Sequence, residues 1–357
     1  MADFASEAPA ARVHGGIDER ALRALQIEPS SVLDFSVNLN PYGPCRPVLQ
    51  AARSAPLDRY PDASACAART AWAQQLGCQA DELAVGHGAA DLFWAIARAA
   101  IAPGDEVVIA EPTFSEFRIA AAASGARVTR VCASIARDLT LDLAALAHAS
   151  AGARALYLCS PNNPTGEYFE HARVEALANA LPDTLVVLDQ SFLGLSDHAD
   201  AVHTRLPGNV VCVRSLTKEF ACPGLRIGLC LASAAWIDRI EAMRPTWATS
   251  SPALAALEQS ARETAFVQES WQRMRADRDA TALLLQERGL SPRATATSYQ
   301  LVPVPGLAAD FCLRMLRHGV LLRDGTSFGL PGHVRIAALP PAQRAVLSAA
   351  LDAVLSA

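Results

Sequence analysis

A chain of 357 residues, 51% of them apolar, can bury a large core but is long for a single hydrophobic centre, so one large and one smaller domain are expected. Its formal charge is −5, with acidic and basic residues interleaved, so no basic stripe stands ready to neutralise a nucleic-acid backbone. The opening MADFASEAPAARVHGG lacks a basic head followed by an apolar run, and no apolar stretch is long enough to span a bilayer without charges; a cytoplasmic protein with neither nucleic-acid nor membrane partners is expected.

Residues 1 to about 45, rich in Pro, Gly and Asn around SVNLNPYGP, read as an extended arm and turn belonging with the smaller domain. From about residue 81, short apolar runs alternate with helix-length amphipathic segments. The runs are ELAVG, EVVIAEP, RVTRVCA, ALYLCS, TLVVLD, NVVCVRS and IGLCLAS; helices are expected from GHGAADLFWAIARAAI, from about Phe114 to Ser124, and through HARVEALANAL. This rhythm predicts an α/β fold: a three-layer, mostly parallel sheet with helices on both faces, over residues 46–240. Ala, Val, Leu and Ile dominate the runs with little alternation, as strands covered on both faces require. Long helical stretches from Ala235 to Glu287, then TSYQLVPV, GVLLRD, HVRIAA and a closing helix, predict a smaller α+β domain over residues 241–357.

The nine cysteines are odd in number and form no Cys-x-x-Cys pair, so buried reduced thiols are expected rather than disulfides. The eight histidines show no ligand spacing, and no metal site is expected.

In open parallel sheets ligands bind beyond the carboxyl ends of the strands, so polar residues just after apolar runs are the candidates. GHGAAD follows ELAV and opens a helix, where backbone N–H groups and the helix dipole can hold a phosphate; alone it is equally an ordinary strand-to-helix turn. SPNNPTG follows ALYLC, and Asp189 ends TLVVLD, so an amide and a carboxylate reach the same crevice, although a strand-end Asp can also cap the next helix. SLTKEFACPGLRIG follows NVVCV and supplies Ser215, Lys218 and Arg226. Lys218 stands among Leu216, Phe220, Pro223 and Leu225, where partial desolvation lowers an amine toward nucleophilic reactivity. Together these groups suit a phosphorylated aromatic aldehyde.

In this order, SPNNPTG, the strand-end Asp189 and SLTKEFACPGLRIG resemble the signatures of the class I/II, fold-type I pyridoxal-phosphate enzymes. Within them the chain is most similar, over nearly its whole length, to the branch of histidinol-phosphate aminotransferases and threonine-phosphate decarboxylases. His14-Gly-Gly, DFSVNLNPYGP, RYPD, GHGAAD, PTFSEF and RDGTSFGLPGHVRIAA have counterparts there. The resemblance implies an aspartate-aminotransferase-like large domain and pyridoxal phosphate held by Lys218 as a Schiff base. It further implies Asp189 on the pyridine nitrogen, Asn163 on the ring hydroxyl and Phe114 stacked on the ring. Ser215 and Arg226 would clamp the phosphate with the backbone of Ala89 and Ala90, and Tyr60 would reach it from the other subunit of a homodimer.

Arg335, Arg323, His14 and Asn38 are the implied substrate contacts, although Arg323 could instead pair with Asp324 or Glu241, and His14 could be an ordinary turn residue. The chain departs from the pattern in DQSF, where Phe192 replaces a common Tyr and Gln190 an acidic residue, and at Ile17 after His-Gly-Gly.

The early His-Gly-Gly, the two arginines and Phe192 lean toward a decarboxylase of threonine phosphate that makes an aminopropanol phosphate for cobalamin biosynthesis. The alternatives are a histidinol-phosphate type aminotransferase and a diverged enzyme of specialised metabolism. A regulatory module on this fold comes last, because the short N-terminal arm is expected to leave no room for a DNA-binding domain.

Overall fold

The fold was obtained as a computed structural model, which describes residues 14–201 and 207–356. In chain order the strands are β1 (Leu33–Asp34), β2 (Leu83–His87), β3 (Glu106–Glu111), β4 (Arg127–Cys132), β5 (Ala155–Cys159), β6 (Leu185–Asp189), β7 (Val210–Ser215) and β8 (Ile227–Leu231). Three helices, Ala234–Ala242, Ser251–Ser260 and Thr264–Gln286, lead to β9 (Tyr299–Pro303), β10 (Val320–Leu321), β11 (Arg323–Asp324) and β12 (His333–Ala337).

Seven strands form the large sheet in the order β2-β8-β7-β6-β5-β3-β4. All its pairings are parallel except those of β8, which runs antiparallel to both β2 and β7. The apolar runs hide a period of two that the sequence does not display, because both faces are covered. Val107, Ile109, Tyr157, Val187 and Val213 pack beneath the helices Gly88–Ala100, Glu116–Ala123 and Ala234–Ala242. Their neighbours Val108, Leu156, Leu158, Val186 and Cys212 pack on the opposite face with Leu146, Val174 and Leu177. Phe93 stands edge-on to both Phe117 and Tyr157, at 6.2 and 5.7 Å between ring centres, and is wholly buried. Phe93→Ala is expected to cost about 3–5 kcal/mol of stability, measured as a shift in the denaturant midpoint.

The helix Ser251–Ser260 packs on the helices Arg46–Arg53 and Cys66–Leu76 and on β8, so it still covers the large sheet. The run GVLLRD divides at Leu322: β10 pairs with β1 of the N-terminal arm, whereas β11 joins β12 and β9 in a three-stranded antiparallel sheet. The helix expected from Phe114 begins at Glu116, which leaves Phe114 and Ser115 outside it, free to face a cavity.

All nine cysteines are free, and five of them (Cys45, Cys159, Cys212, Cys222 and Cys230) are buried. Cys66 and Cys132 are exposed, contrary to the expectation of buried thiols, because one opens a surface helix and the other ends the edge strand β4. No helix of the described residues is long and apolar enough to cross a membrane.

Candidate active site

The carboxyl ends of β2, β6 and β7 converge on a cavity of about 340 Å³, closed on the far side by β11, β12 and the arm. Its wall carries His14, Ser36, Asn38, Ala90, Phe114, Glu116, Asn163, Phe192, Thr217, Lys218, Arg226, Arg323, Ser327, Phe328 and Arg335.

At one end, β2 turns directly into the helix Gly88–Ala100, whose first-turn N–H groups have no partners within the helix. Arg226 lies over this turn: a Cβ on Gly88, which has φ of +79°, would stand 2.6 Å from the guanidinium. Gly228 on β8 is equally constrained, since its Cβ would lie 2.8 Å from the Ala89 nitrogen. The result is a concave, cationic turn able to hold a phosphate. The Ser215 hydroxyl is hydrogen-bonded to Thr217 at 2.9 Å, and of these two Thr217 lines the cavity. Ala90 lines the wall while Ala89 is buried behind it.

In the middle, Asp189 ends β6, is 2% exposed and does not itself line the cavity. The backbone N–H of Ser191 donates to its Oδ1 and the hydroxyl of Tyr157 to its Oδ2, each at 2.8 Å. Asn163 accepts from Arg335 through Oδ1, so its amide N–H₂ is turned to other acceptors. Lys218 opens onto the cavity with Nζ 4.8 Å above the centre of the Phe192 ring. Desolvation lowers its amine below the ordinary lysine value, and the charges of Arg226 and Arg335 act the same way, against the opposing pull of Asp189 and Cys159.

At the other end, Arg323 and Arg335 are direct cross-strand partners in the β11–β12 pair, and both are 5% exposed. Placing like charges opposite each other inside a protein is destabilising, so such a pair points to an anion that belongs between them. Arg335 is pushed down to about 10, first by burial and further by Arg323. It donates to the Ser36 carbonyl and to Asn163, and Asn38, with its amide oxygen facing the guanidinium, accepts from Nη1 and Nε at 3.2 Å. Arg323 donates to Ser327 Oγ at 2.6 Å and to the Asp324 backbone carbonyl at 2.9 Å, while Glu241 is paired with Arg244.

His14 reaches this cavity because the two glycines after it let the arm lie flat on Ser36. A Cβ on Gly15 would stand 2.3 Å from the Ser36 carbonyl oxygen, and the Gly16 N–H donates to Ser36 Oγ at 2.7 Å. The imidazole sits 5.6 Å from the Phe114 ring centre and 3.8 Å from Glu116, whose other oxygen accepts the Trp94 N–H at 2.7 Å.

Thus Lys218, Asn163, Phe114, Ala90, Arg226, Arg335, Arg323, His14 and Asn38 share one cavity wall. Tyr60 does not join them within the chain: it is 75% exposed and stacks on Trp247 at 4.2 Å. Sequence reasoning missed Ser36, Glu116, Thr217, Ser327 and Tyr157. Of these only Glu116 stood inside a quoted motif as a charge without a role, and a mid-strand tyrosine reads as core.

A strand-end cavity with a buried amine, a neighbouring carboxylate and a turn able to hold a phosphate has the makings of a cofactor site on a mostly parallel sheet. Comparison with known proteins makes this specific: residues 30–354 match the family of aminotransferase class I and II, and the chain belongs to it. It is therefore a pyridoxal-phosphate-dependent enzyme.

Among its relatives is the histidinol-phosphate aminotransferase of Symbiobacterium thermophilum, 32% identical over 91% of each chain. The structure resembles histidinol-phosphate aminotransferase from Sinorhizobium meliloti in complex with pyridoxal 5′-phosphate, with a TM-score of 0.85 and 26% identity over 99% of this chain and 98% of that one. It also resembles L-threonine-O-3-phosphate decarboxylase from Porphyromonas gingivalis, with a TM-score of 0.78 and 25% identity over 90% and 99%.

Proposed function

We propose that the chain is an aminotransferase of the histidinol-phosphate type, acting on a phosphorylated primary amine. One observation carries the choice of an anionic, phosphorylated substrate: two buried arginines face each other across the β11–β12 pair in the same cavity as Lys218. The similarity to histidinol-phosphate aminotransferases supports transamination over the decarboxylation expected from the sequence.

The site fits pyridoxal phosphate. A turn that admits no Cβ at Gly88 leaves room for a phosphate against the helix terminus, and a buried carboxylate suits a ring nitrogen. Lys218 Nζ would hold the cofactor, Asp189 its ring nitrogen, the amide nitrogen of Asn163 its ring hydroxyl, and Phe114 one ring face. Arg226, Ser215 and the backbone at Ala89 and Ala90 would clamp the phosphate, with Tyr60 supplied by the second subunit of a homodimer. When bound, the cofactor supplies an electron sink for charge developing at the substrate Cα.

Arg323, Arg335, Asn38 and His14 would receive the substrate anion. Histidinol phosphate has no carboxylate to lose, so the bond that breaks at Cα is C–H and Lys218 Nζ takes the proton. A second reading, decarboxylation of threonine phosphate, rests on His14 lining the same cavity as the two arginines: a third hydrogen-bonding group suits a substrate with both carboxylate and phosphate. There CO₂ would leave and Lys218 would return a proton to Cα.

The test is a pair of incubations with pyridoxal phosphate. Glutamate formed from histidinol phosphate and 2-oxoglutarate is the expected result. CO₂ released from L-threonine phosphate without any keto acid, and no glutamate in the first reaction, would replace the first reading by the second.

A further inference from the structure

The helix that carries Lys218 spans only Leu216–Glu219, too short to satisfy its own terminal carbonyls. Three consecutive carbonyls are reached by one stretch of the N-terminal arm, two of them shared with the turn itself, where Ala221 N–H donates to Lys218 O at 3.3 Å and Cys222 Sγ to Phe220 O at 3.2 Å. The Asn40 N–H donates to Lys218 O at 3.0 Å, Asn40 Nδ2 to Glu219 O at 2.9 Å, and the Cys45 N–H to Phe220 O at 3.1 Å. Asn40 is 2% exposed, and its Oδ1 accepts the Tyr42 N–H at 3.0 Å, which fixes the direction of its amide. The contact is close: a Cβ on Gly43 would stand 2.3 Å from the Ala221 Cβ. Two and four residues upstream, Asn38 and the Ser36 carbonyl hold Arg335. Residues 36–45 therefore touch the site in two places, the Arg335 guanidinium at one end and the turn bearing the amine in the middle.

We infer that Asn40 is a positioning residue, which sets where Lys218 Nζ stands relative to the anion held at Arg335 by gripping the backbone of the lysine's own turn. The inference rests on the proposed reading of Lys218 as the cofactor lysine. A side chain held from its backbone is misplaced when the grip is lost, and a shift of about 1 Å at a reacting atom can cost on the order of 10²-fold in rate. Substrate affinity depends on the arginines, which keep Asn38 and Ser36.

The experiment uses the holoenzyme with Asn40→Ala and Asn40→Ser, neither of which adds a charge near the groups that face Lys218: Asp189, Cys159, Arg226 and Arg335. The expected result is kcat lowered by roughly 10–100-fold with KM changed by less than about threefold. The pH midpoint of the visible band of the lysine-bound cofactor should also rise, because water admitted to a loosened turn favours the protonated nitrogen. A merely structural contact would lower thermal stability without moving that midpoint.

Unchanged kcat and midpoint in a folded variant would overturn the inference, as would a raised KM with kcat intact, which would make Asn40 a substrate contact. If Asn40→Ala does not fold, Asn40→Ser, with its smaller change, is read by the same criteria. A wild-type protein that shows no lysine-bound band at all would overturn the reading of Lys218 together with the inference, whereas a normal wild-type band with indifferent variants overturns the inference alone.

Discussion

Lys218→Ala is expected to remove both the visible absorbance of the bound cofactor and all measurable turnover of histidinol phosphate, while leaving the fold and thermal stability close to wild type. The side chain lines the cavity, and among the described residues its nitrogen makes no ion pair, so its loss removes chemistry more than packing. Desolvation keeps the amine below the ordinary lysine range, which raises the fraction of neutral nucleophile near neutral pH. The same side chain is assigned the proton at Cα, so the variant loses both the covalent link and the acid–base group, and losses of groups acting as one unit do not add. Absorption spectra of the dialysed protein and a glutamate-forming assay decide the matter. A variant that keeps the visible band, or turns over at the wild-type rate, would show that another nitrogen holds the cofactor and would dissolve the assignment of the whole strand-end cluster.

The parts of the site legible in the sequence are those fixed by local pattern. Lys218 stands just past the end of an apolar run, and in a parallel sheet that position alone sends it to the crevice, with Asp189 buried at the end of the neighbouring strand. The helix after GHG was legible for the same reason. The pairing of Arg323 with Arg335 was not, because two residues twelve apart become direct neighbours only through the register of an antiparallel pair.

The division of GVLLRD between two sheets was hidden as well, since the partner of β10 lies in the arm, nearly three hundred residues away in the chain. Ser36 acts through its backbone carbonyl, which no residue type announces. Glu116 was visible as a charge in PTFSEF, but its burial depends on the Trp94 indole and the docked arm, both supplied by tertiary packing. The reaction type was not legible for a related reason. Which bond at Cα is weakened depends on its angle to the cofactor ring, and neither the arginine count nor the change to Phe192 specifies that angle.

Asp189→Asn is the second substitution with a large expected effect, and it separates folding from catalysis. The carboxylate accepts from Ser191 N–H and from the Tyr157 hydroxyl. In the variant the amide oxygen can keep one donor, and Tyr157, whose hydroxyl accepts as well as donates, can take the new amide N–H. Stability should therefore fall by no more than about 1–3 kcal/mol, and the protein should purify folded.

Activity should fall much further. In the proposed arrangement the carboxylate is the counter-charge of the protonated ring nitrogen, and removing one partner of a buried ion pair costs about 3–5 kcal/mol. At about 1.4 kcal/mol per tenfold, that corresponds to a loss of roughly 10²- to nearly 10⁴-fold in kcat/KM. Part of the loss should appear as weaker retention of the cofactor during dialysis. Tyr157→Phe, which removes one donor and keeps the carboxylate, should lie between this variant and wild type. Wild-type kcat/KM in Asp189→Asn would mean that the ring nitrogen does not meet this side chain, and the buried Tyr157–Asp189 pair would then be a structural bridge between β5 and β6.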